Sequence, residues 1–218
     1  MGSKGLVLIS DIHGCYRTLM ALLKNCPSGK EVVLLGDLID RGPRSRQVIE
    51  HAIEGKLRCV CGNHEDMMLA HYGAINSSLY REDPWLWNGA KNTLNSYPKP
   101  DNGIRAVYKT HIVWALDLPL SIEILMKGQP PLLVSHTGYG DRYNDRFSAL
   151  WDRHGIDGNK FPDDSTYRVF GHTQNKEPRI TDRFAMIDTG CAYKDRGMGK
   201  LTAFTWPEKE VIQQINID

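Results

Sequence analysis

Three short polar segments carry the side chains of this sequence whose types and spacing could do chemistry. Residues 10–14, 36–42 and 62–65 each follow directly after an apolar run. Among their side chains are the carboxylates of Asp11 and Asp37, one amide and two imidazoles, and there is no thiolate. Oxygen and nitrogen donors of this kind suit a pair of hard or borderline divalent metal ions. The three segments together therefore indicate a site for two metals.

The apolar runs that precede these segments predict the elements that position them. Residues 6–9, 32–35 and 57–61 are short and mainly apolar, which is typical of buried strands. Between them, apolar residues recur at helical spacing. This alternation of strands and helices predicts a mostly parallel sheet, in which ligands bind beyond the carboxyl ends of the strands. All three polar segments fall at those ends.

The second half of the chain predicts a second sheet packed on the first. Its strand-like runs cover residues 120–126, 132–135, 167–170, 184–187, 201–205 and 211–217. His136 follows one of these runs directly, and His172 follows another after a single glycine. We expect a single α/β domain over residues 1–218, with a cap-like insertion at about residues 72–117, where Trp, Pro and Asn are frequent and periodicity is weak.

The two later histidines complete a set of candidate metal ligands. The set is Asp11, His13, Asp37, Asn63, His136 and His172. These donors serve two metals only if one carboxylate bridges them, and Asp37 is the natural bridge because its strand lies between the other two. Bridged metals stand roughly 3.5–4 Å apart, lower the pKa of a shared water and neutralise phosphate oxygens. This chemistry predicts hydrolysis of phosphoesters by a metal-bridging hydroxide.

Hydrolysis of a phosphoester also needs a proton for the leaving oxygen and positive charge beside the phosphate. His64 is the candidate general acid, and Asp40 would hold it protonated because a nearby carboxylate raises the pKa of an imidazole. Arg41 and Arg153 are candidate phosphate ligands, since a guanidinium offers paired donors. The alternatives are that Asp40 and His64 only support their loops and that the arginines form surface ion pairs.

Composition and charge narrow the classes of partner. The chain has 218 residues and a formal net charge of +1, so it lacks the basic field of a non-specific nucleic-acid binder. Its five cysteines are an odd number for a disulfide framework and indicate free thiols in a reducing cytosol. No apolar run is long enough for a signal peptide or a membrane helix. We expect a cytoplasmic protein that acts on a phosphorylated protein or a small phosphoester.

The motifs resemble those of the phosphoprotein phosphatase family, in the bacterial and phage branch of these metallophosphoesterases. The resemblance is carried by Asp11-x-His13-Gly14, Gly36-Asp37-x-x-Asp40-Arg41-Gly42 and Gly62-Asn63-His64-Glu65, followed by His136, Arg153 and His172. It implies a calcineurin-like metallophosphoesterase fold, in which helices flank a central β-sandwich. It also implies two divalent metal ions, for which we expect Mn2+, with Fe, Zn2+, Ni2+ or Mg2+ as alternatives.

The resemblance also implies roles for these residues. One metal takes Asp11, His13 and Asp37, the other takes Asp37, Asn63, His136 and His172, and Asp40 with His64 is the acid pair. The implied activity is hydrolysis of phosphoserine and phosphothreonine in proteins, with phosphotyrosine as a further substrate. One departure from the family is Cys61, which stands where protein phosphatases usually carry an arginine before Gly-Asn-His-Glu.

Two other functions are open alternatives. Diadenosine tetraphosphate hydrolases of the same superfamily resemble this chain in length and around Trp87-Asn88-Gly89. They usually carry Asp at the position of Glu65 and lack the equivalent of Asp40, so these two residues favour a protein phosphatase over a dinucleoside polyphosphate or nucleotide hydrolase. A phosphopeptide-binding scaffold without turnover is disfavoured, because no ligand or acid is missing.

Overall fold

The computed structural model describes residues 5–76, 80, 82–101, 103–139, 145–153, 161 and 165–218. Within them the strands are β1 (Leu6–Ile9), β2 (Glu31–Leu34), β3 (Arg58–Cys59), β4 (Ser121–Ile124), β5 (Leu132–Ser135), β6 (Tyr167–Phe170), β7 (Arg179–Ile180), β8 (Phe184–Met186), β9 (Lys200–Trp206) and β10 (Val211–Ile215). The helices are α1 (Tyr16–Asn25), α2 (Ser45–Glu54), α3 (Asn63–His71), α4 (Pro84–Trp87), α5 (Ala90–Ser96), α6 (Lys109–Leu116) and α7 (Arg146–Trp151). None of these helices is long and apolar enough to cross a bilayer.

The first sheet contains the three strands that precede the polar segments. β1 pairs in parallel with β2, and β2 pairs in parallel with β3, so their carboxyl ends meet at one edge. β9 and β10 extend the sheet on the other side of β1 with antiparallel pairing, which gives the order β10-β9-β1-β2-β3. The parallel arrangement expected for the first half of the chain is confirmed.

The second sheet repeats this plan with strands from the second half. β5, β6 and β8 run parallel, and β4 and β7 are antiparallel edge strands, in the order β4-β5-β6-β8-β7. β7 was not expected from the sequence, because its two residues are exposed and form no apolar run. Three parallel strands in each sheet therefore bring six carboxyl ends towards one region.

The two sheets pack face to face, and β1 shows why its sequence is continuously apolar. Leu8 belongs to the same buried cluster as Val134 and Val169 of the second sheet, in a core shared by both sheets. Val7 and Ile9 point the other way, into the core under the helices. A strand buried on both faces has no polar side to alternate with. The predicted fold, a β-sandwich flanked by helices, is confirmed.

The third polar segment differs locally from the prediction. β3 ends at Cys59 rather than residue 61, because the backbone N–H of Cys61 donates to the carbonyl of Pro119 at 2.8 Å and leaves the sheet. Helix α3 then begins at Asn63, inside the polar segment itself. The Glu65 carboxylate accepts from the N–H of Gly62 at 3.0 Å and satisfies a backbone donor at the start of this helix.

The cap-like segment forms α4, α5 and α6, and its inner side packs on the rest of the protein. Trp85, Ala90 and Tyr97 are buried in the same core as the helices α1 and α2. Residues 77–79, 81 and 102 of the segment lie outside the described residues. The division of the chain into one domain with an insertion stays a prediction.

Candidate metal centre and active site

The loops after β1 and β2 hold each other in an uncommon backbone conformation. Asp11, His13 and Asp37 have φ angles of 51°, 48° and 52°, in the left-handed region that non-glycine residues seldom adopt. Backbone bonds between the loops secure them: the N–H of His13 donates to the carbonyl of Asp37 at 2.9 Å, and that of Asp11 to Gly36 at 3.2 Å. Strain of this kind collects at functional sites, where it fixes the direction of side chains.

Glu65 joins the second and third polar segments. Its carboxylate accepts from the N–H groups of Asp37 at 2.8 Å, Leu38 at 2.8 Å and Gly62 at 3.0 Å. Burial raises the pKa of this carboxyl to about 7, and the N–H donors act in the opposite direction. All of these partners are backbone groups. Glu65 therefore positions two loops and does not face a substrate.

Three donors of the second predicted metal converge without intervening protein. His136 Nε2 lies 2.9 Å from Asn63 Oδ1 and 3.1 Å from His172 Nδ1, and the latter two atoms are 3.1 Å apart. The other ring nitrogen of His136, Nδ1, lies 3.0 Å from the carbonyl of Leu35 and donates its proton to it. The lone pair of Nε2 is therefore available to bind a metal. Two imidazoles and an amide arranged in this way can share one cation.

Asp37 lies between the two groups of donors. Its Oδ1 is 3.4 Å from His136 Nε2, and its Oδ2 is 3.7 Å from His13 Nε2. His13 Nδ1 lies 2.9 Å from the carbonyl of Ile39, so Nε2 is the nitrogen whose lone pair could bind a metal. Because the two carboxylate oxygens face different histidines, Asp37 has the geometry of a bridging ligand.

Two clusters of donor atoms, each within 4.8 Å, share Asp37: one contains His13 and His64, and the other contains His136 and His172. The predicted ligand Asp11 is buried beside the first cluster. Its Oδ2 accepts from the backbone N–H of His172 at 3.0 Å. Gly171 permits this approach, because a Cβ there would lie 2.0 Å from the same oxygen.

The residues present fit divalent cations. Asp11 Oδ1 is buried and has no hydrogen-bond partner. Burial, followed by the charge of Asp37, raises the pKa of Asp11, and the N–H of His172 and the charge of Arg41 act less strongly in the opposite direction. Burial also lowers the pKa of His136 to about 4, which keeps the imidazole in the neutral form that binds metals.

His64 and Asp40 form the buried pair that the sequence predicted. His64 Nδ1 lies 2.6 Å from Asp40 Oδ2, and its Nε2 faces Asp37 Oδ2 at 3.8 Å. Two cap residues also donate to Asp40: Trp85 Nε1 at 3.0 Å and the Thr93 hydroxyl at 2.5 Å. Asp40 therefore orients the imidazole and ties the cap to the site.

The protonation of this pair differs from the expectation. Burial and then the charge of Arg41 lower the pKa of His64, whereas burial raises the pKa of Asp40 to about 7. Burial thus favours the uncharged form of both groups over an imidazolium held by a carboxylate. One proton shared along the short bond satisfies both side chains.

The two candidate phosphate ligands both lie near the candidate metal ligands. The guanidinium of Arg41 contacts His13 Nε2, and it also lies 5.0 Å from the centre of the Tyr193 ring. Arg153 is exposed, and its charge contributes to the lowered pKa of both His136 and His172. The structure therefore brings all ten predicted site residues into one region.

Sequence reasoning missed a guanidinium beside Cys61. Arg146 of α7 places Nη2 3.5 Å from Cys61 Sγ, and its Nε donates to Asp66 at 2.5 Å. A positive charge therefore stands near the position where the family usually carries an arginine. No sequence signal identifies it, because Arg146 lies 85 residues away from Cys61.

Comparison with known proteins identifies the family. The family model for calcineurin-like phosphoesterases matches residues 6–185. The chain belongs to this family. It is 29% identical to bis(5'-nucleosyl)-tetraphosphatase PrpE [asymmetrical] of Anoxybacillus flavithermus, over 94% of this chain and 91% of that protein.

Solved structures share the fold of this phosphoesterase. A protein proposed to be a diadenosine tetraphosphatase matches with a TM-score of 0.69 and 18% identity, over 97% of this chain and 93% of its own. The cold-active protein-tyrosine phosphatase of a psychrophilic Shewanella species matches with a TM-score of 0.56 and 18% identity, over 99% and 78%. At this identity the likeness concerns the fold alone, which proteins with different substrates share.

Proposed function

We propose that this phosphoesterase hydrolyses dinucleoside tetraphosphates asymmetrically, into a nucleoside monophosphate and a nucleoside triphosphate. This proposal takes the place of the protein serine/threonine phosphatase that the motifs favoured. The observation that carries it is the match to the Anoxybacillus flavithermus tetraphosphatase over 94% of this chain and 91% of that protein. A match of this extent includes the cap segment as well as the metal-binding motifs.

The two residues that favoured a protein phosphatase act inside the protein. Glu65 accepts hydrogen bonds from backbone N–H groups of two loops. Asp40 accepts from His64, Trp85 and Thr93, and it is fully buried. Neither side chain reaches solvent where a phosphoprotein or a nucleotide would bind. Their identity therefore gives no reason to prefer one substrate class over the other.

The cap offers an aromatic surface suited to a nucleobase. Trp87 is 83% exposed, although it lies in the sequence between two residues that contact the active site. Trp85 donates to Asp40. Gly89 packs so closely on Arg41 that a Cβ at position 89 would lie 2.8 Å from the backbone nitrogen of Arg41. Stacking on an exposed indole stabilises a base by roughly 1–3 kcal/mol. Trp87 is therefore a candidate contact for a nucleoside.

Positive charge extends away from the metal centre in a way that suits several phosphates. The guanidinium of Arg41 lies 5.0 Å from the centre of the Tyr193 ring, and that of Arg196 lies 4.6 Å from it. Arg41 also contacts His13, so the row of cations begins at the candidate ligands. A tetraphosphate carries more negative charge than the single phosphate of a phosphoserine, and it would use such a row.

In the proposed reaction, Asp11, His13 and Asp37 would hold one metal, and Asp37 with the remaining ligands would hold the other. When bound, the two metals supply positive charge to the phosphate oxygens and lower the pKa of a shared water. His64 presents Nε2 towards the reacting phosphate and gives its Nε2 proton to the leaving oxygen, while the proton shared with Asp40 moves onto Nδ1, so that the imidazole stays neutral. Arg41 and Arg153 bind phosphate oxygens.

The proposal is tested by kcat/KM of the Mn2+-loaded protein on diadenosine tetraphosphate beside a panel of phosphoserine and phosphotyrosine peptides. We expect a preference for the dinucleotide, with AMP and ATP as its products on chromatography. A preference for the peptides would restore the protein phosphatase assignment. ADP as the sole product, at two molecules per dinucleotide, would contradict asymmetric cleavage.

Turnover of p-nitrophenyl phosphate with Mn2+ separates failure of the substrate proposal from failure of the enzyme. A scaffold that binds phosphopeptides without hydrolysis cannot turn over this compound. Hydrolysis of p-nitrophenyl phosphate without any preference for the dinucleotide would leave a phosphoesterase whose substrate is another class. Replacing Mn2+ in turn by Fe2+, Zn2+, Ni2+ and Mg2+ in the same assay tests the expected metal.

A further inference from the structure

Asp188 occupies a position equivalent to those of the predicted ligands, although no motif of the sequence analysis included it. β6 and β8 pair in parallel with Phe170 opposite Met186, and the N–H of Ile187 donates to the Phe170 carbonyl at 2.9 Å. Two residues beyond this pairing, His172 and Asp188 leave the ends of their strands side by side. Asp188 therefore follows the third parallel strand of the second sheet just as Asn63 follows that of the first.

The surroundings of the Asp188 carboxylate are incomplete. The residue is only 2% exposed. Its Oδ1 accepts from the N–H of Gly190 at 2.9 Å, whereas its Oδ2 is buried without a hydrogen-bond partner. A carboxylate oxygen that is removed from water and left unpaired is costly, unless a proton or a cation compensates it.

The neighbour of this unpaired oxygen is another incomplete carboxylate. The charge of Asp11 acts on Asp188, so the two carboxylates lie close together, and Asp11 Oδ1 is likewise buried without a hydrogen-bond partner. The negative charge of Asp188 also reaches Asp37. Among the described residues, no lysine or arginine forms an ion pair with Asp188. Asp188 thus lies beside Asp11, a predicted ligand of the first metal, and each of these two buried carboxylates has an unpaired oxygen.

We propose that Asp188 is a further ligand of the first metal, beside Asp11, His13 and Asp37. The assignment rests on the two-metal centre of the proposed function, but not on the identity of the substrate. It makes the two sites chemically unequal. The first would have three carboxylates and one imidazole, whereas the second has one carboxylate, one amide and two imidazoles. Harder cations such as Mn2+ should prefer the first site, and Zn2+ should prefer the second.

The test is a calorimetric titration of Mn2+ into metal-free, full-length protein, with the Mn2+ signal followed by electron paramagnetic resonance. We expect two sites in the wild type. In Asp188→Asn, one site should weaken by about 10–100-fold or more, and the other should be unchanged. Asp195→Asn, which alters an exposed acid of the following loop, is the matched control and should titrate like the wild type.

Thermal unfolding in EDTA separates metal binding from a merely structural role. Asp188→Asn should unfold at the same temperature as the wild type or higher, since it removes a buried charge next to Asp11, and Mn2+ should raise its Tm by less than that of the wild type. Unchanged affinity at both sites would overturn the proposal, whatever the Tm in EDTA. Asp188→Ser is a second variant without the carboxylate, should the amide not fold.

These measurements need no substrate. A protein that binds two Mn2+ ions and loses one in Asp188→Asn supports this assignment even if diadenosine tetraphosphate is not hydrolysed. Conversely, a preference of the wild type for the dinucleotide, together with unaltered metal binding in Asp188→Asn, supports the proposed function and refutes Asp188 as a metal ligand. The resonance signal adds a direct criterion, because two coupled Mn2+ ions should give way to one isolated ion in the variant.

Discussion

The loops at the strand ends and the outer surface of the cap differ in how far the protein itself determines their geometry. At the strand ends, the candidate ligands are buried, and Asp11, His13 and Asp37 have left-handed backbones in loops that are joined by hydrogen bonds. On the cap, Trp87 and Ile104 are 83% and 91% exposed. The first region is pre-organised for one kind of chemistry, whereas the second offers surface that only a substrate would cover.

This difference explains why the reaction class and the substrate class must be argued separately. The inner side of the cap reaches the site through Trp85 and Thr93, which donate to Asp40. Those contacts orient the acid pair, so the cap participates in the chemistry as a support. Its outer side, with the exposed Trp87, does not support the acid pair and could instead contact the substrate. A variant on each side should therefore alter different kinetic constants.

The largest effect is expected at the shared ligand. Asp37→Asn should abolish both metal binding and hydrolysis, because its two oxygens face the donors of both metals. Metal content after gel filtration and kcat on p-nitrophenyl phosphate measure this outcome. Asp117→Asn, an exposed acid after α6, serves as the control. Near-normal activity of Asp37→Asn would refute its role as the bridge.

A smaller but still severe effect is expected at the acid pair. His64→Asn should lower kcat by about 10²–10⁴-fold while both metals remain bound. The loss should be larger on a phosphoserine peptide than on diadenosine tetraphosphate, because an alkoxide leaves less readily without a proton than a phosphate does. Kinetics on both substrates and metal analysis provide the check. Loss of metal would show that His64 is a ligand, in line with its place beside His13 and Asp37.

On the outer side of the cap, Trp87→Ala should lower the hydrolysis of the dinucleotide without affecting that of a small phosphoester. We expect kcat/KM for diadenosine tetraphosphate to fall by about tenfold, as the loss of one stacking contact implies. Hydrolysis of p-nitrophenyl phosphate should be unchanged. Leu125→Ala is a matched control, since this exposed apolar side chain follows β4, an edge strand of the second sheet, and is not part of the cap. Equal losses on both substrates would mean that Trp87 supports the fold instead.

The smallest effect concerns stability without metals. In EDTA, Tm should fall by a few degrees between about pH 6.5 and 8. Burial raises the pKa of Asp40 and Glu65 to about 7 in the folded protein, so the folded chain keeps protons that the unfolded chain has already released, and stability is lost as pH rises through this range. Scanning calorimetry at several pH values measures the trend.

The buried histidines and added Mn2+ should both change this pH dependence of Tm. The buried histidines, whose pKa values are lowered, act in the opposite direction, but only below about pH 6.5, where an unfolded histidine gains a proton. With Mn2+ present, the sign should reverse, because metals bind the deprotonated carboxylates. A Tm that rises with pH in EDTA would contradict the charge imbalance inferred for the centre.

Much of the fold and of the candidate site was predictable because both depend on local patterns. Continuous apolar runs predicted buried strands, and polar residues directly after them predicted donors at one edge. The same signal follows β8, where Asp188 comes just after an apolar run, and it was overlooked because no family motif includes it. β7 and Arg146 had no signal of this kind, and the roles of Asp40 and Glu65 depend on partners far away in the chain.

The sequence by itself determined the reaction class and the type of ligand, since side-chain chemistry at strand ends is independent of how the two sheets finally pack. Tertiary structure alone decided which oxygen of Asp37 faces which histidine, that burial favours an uncharged His64, and that Arg146 stands beside Cys61. The physical reason is that pKa values, bridging geometry and compensating charges depend on distances between residues that are remote in the chain, and those distances exist only once the sandwich has formed.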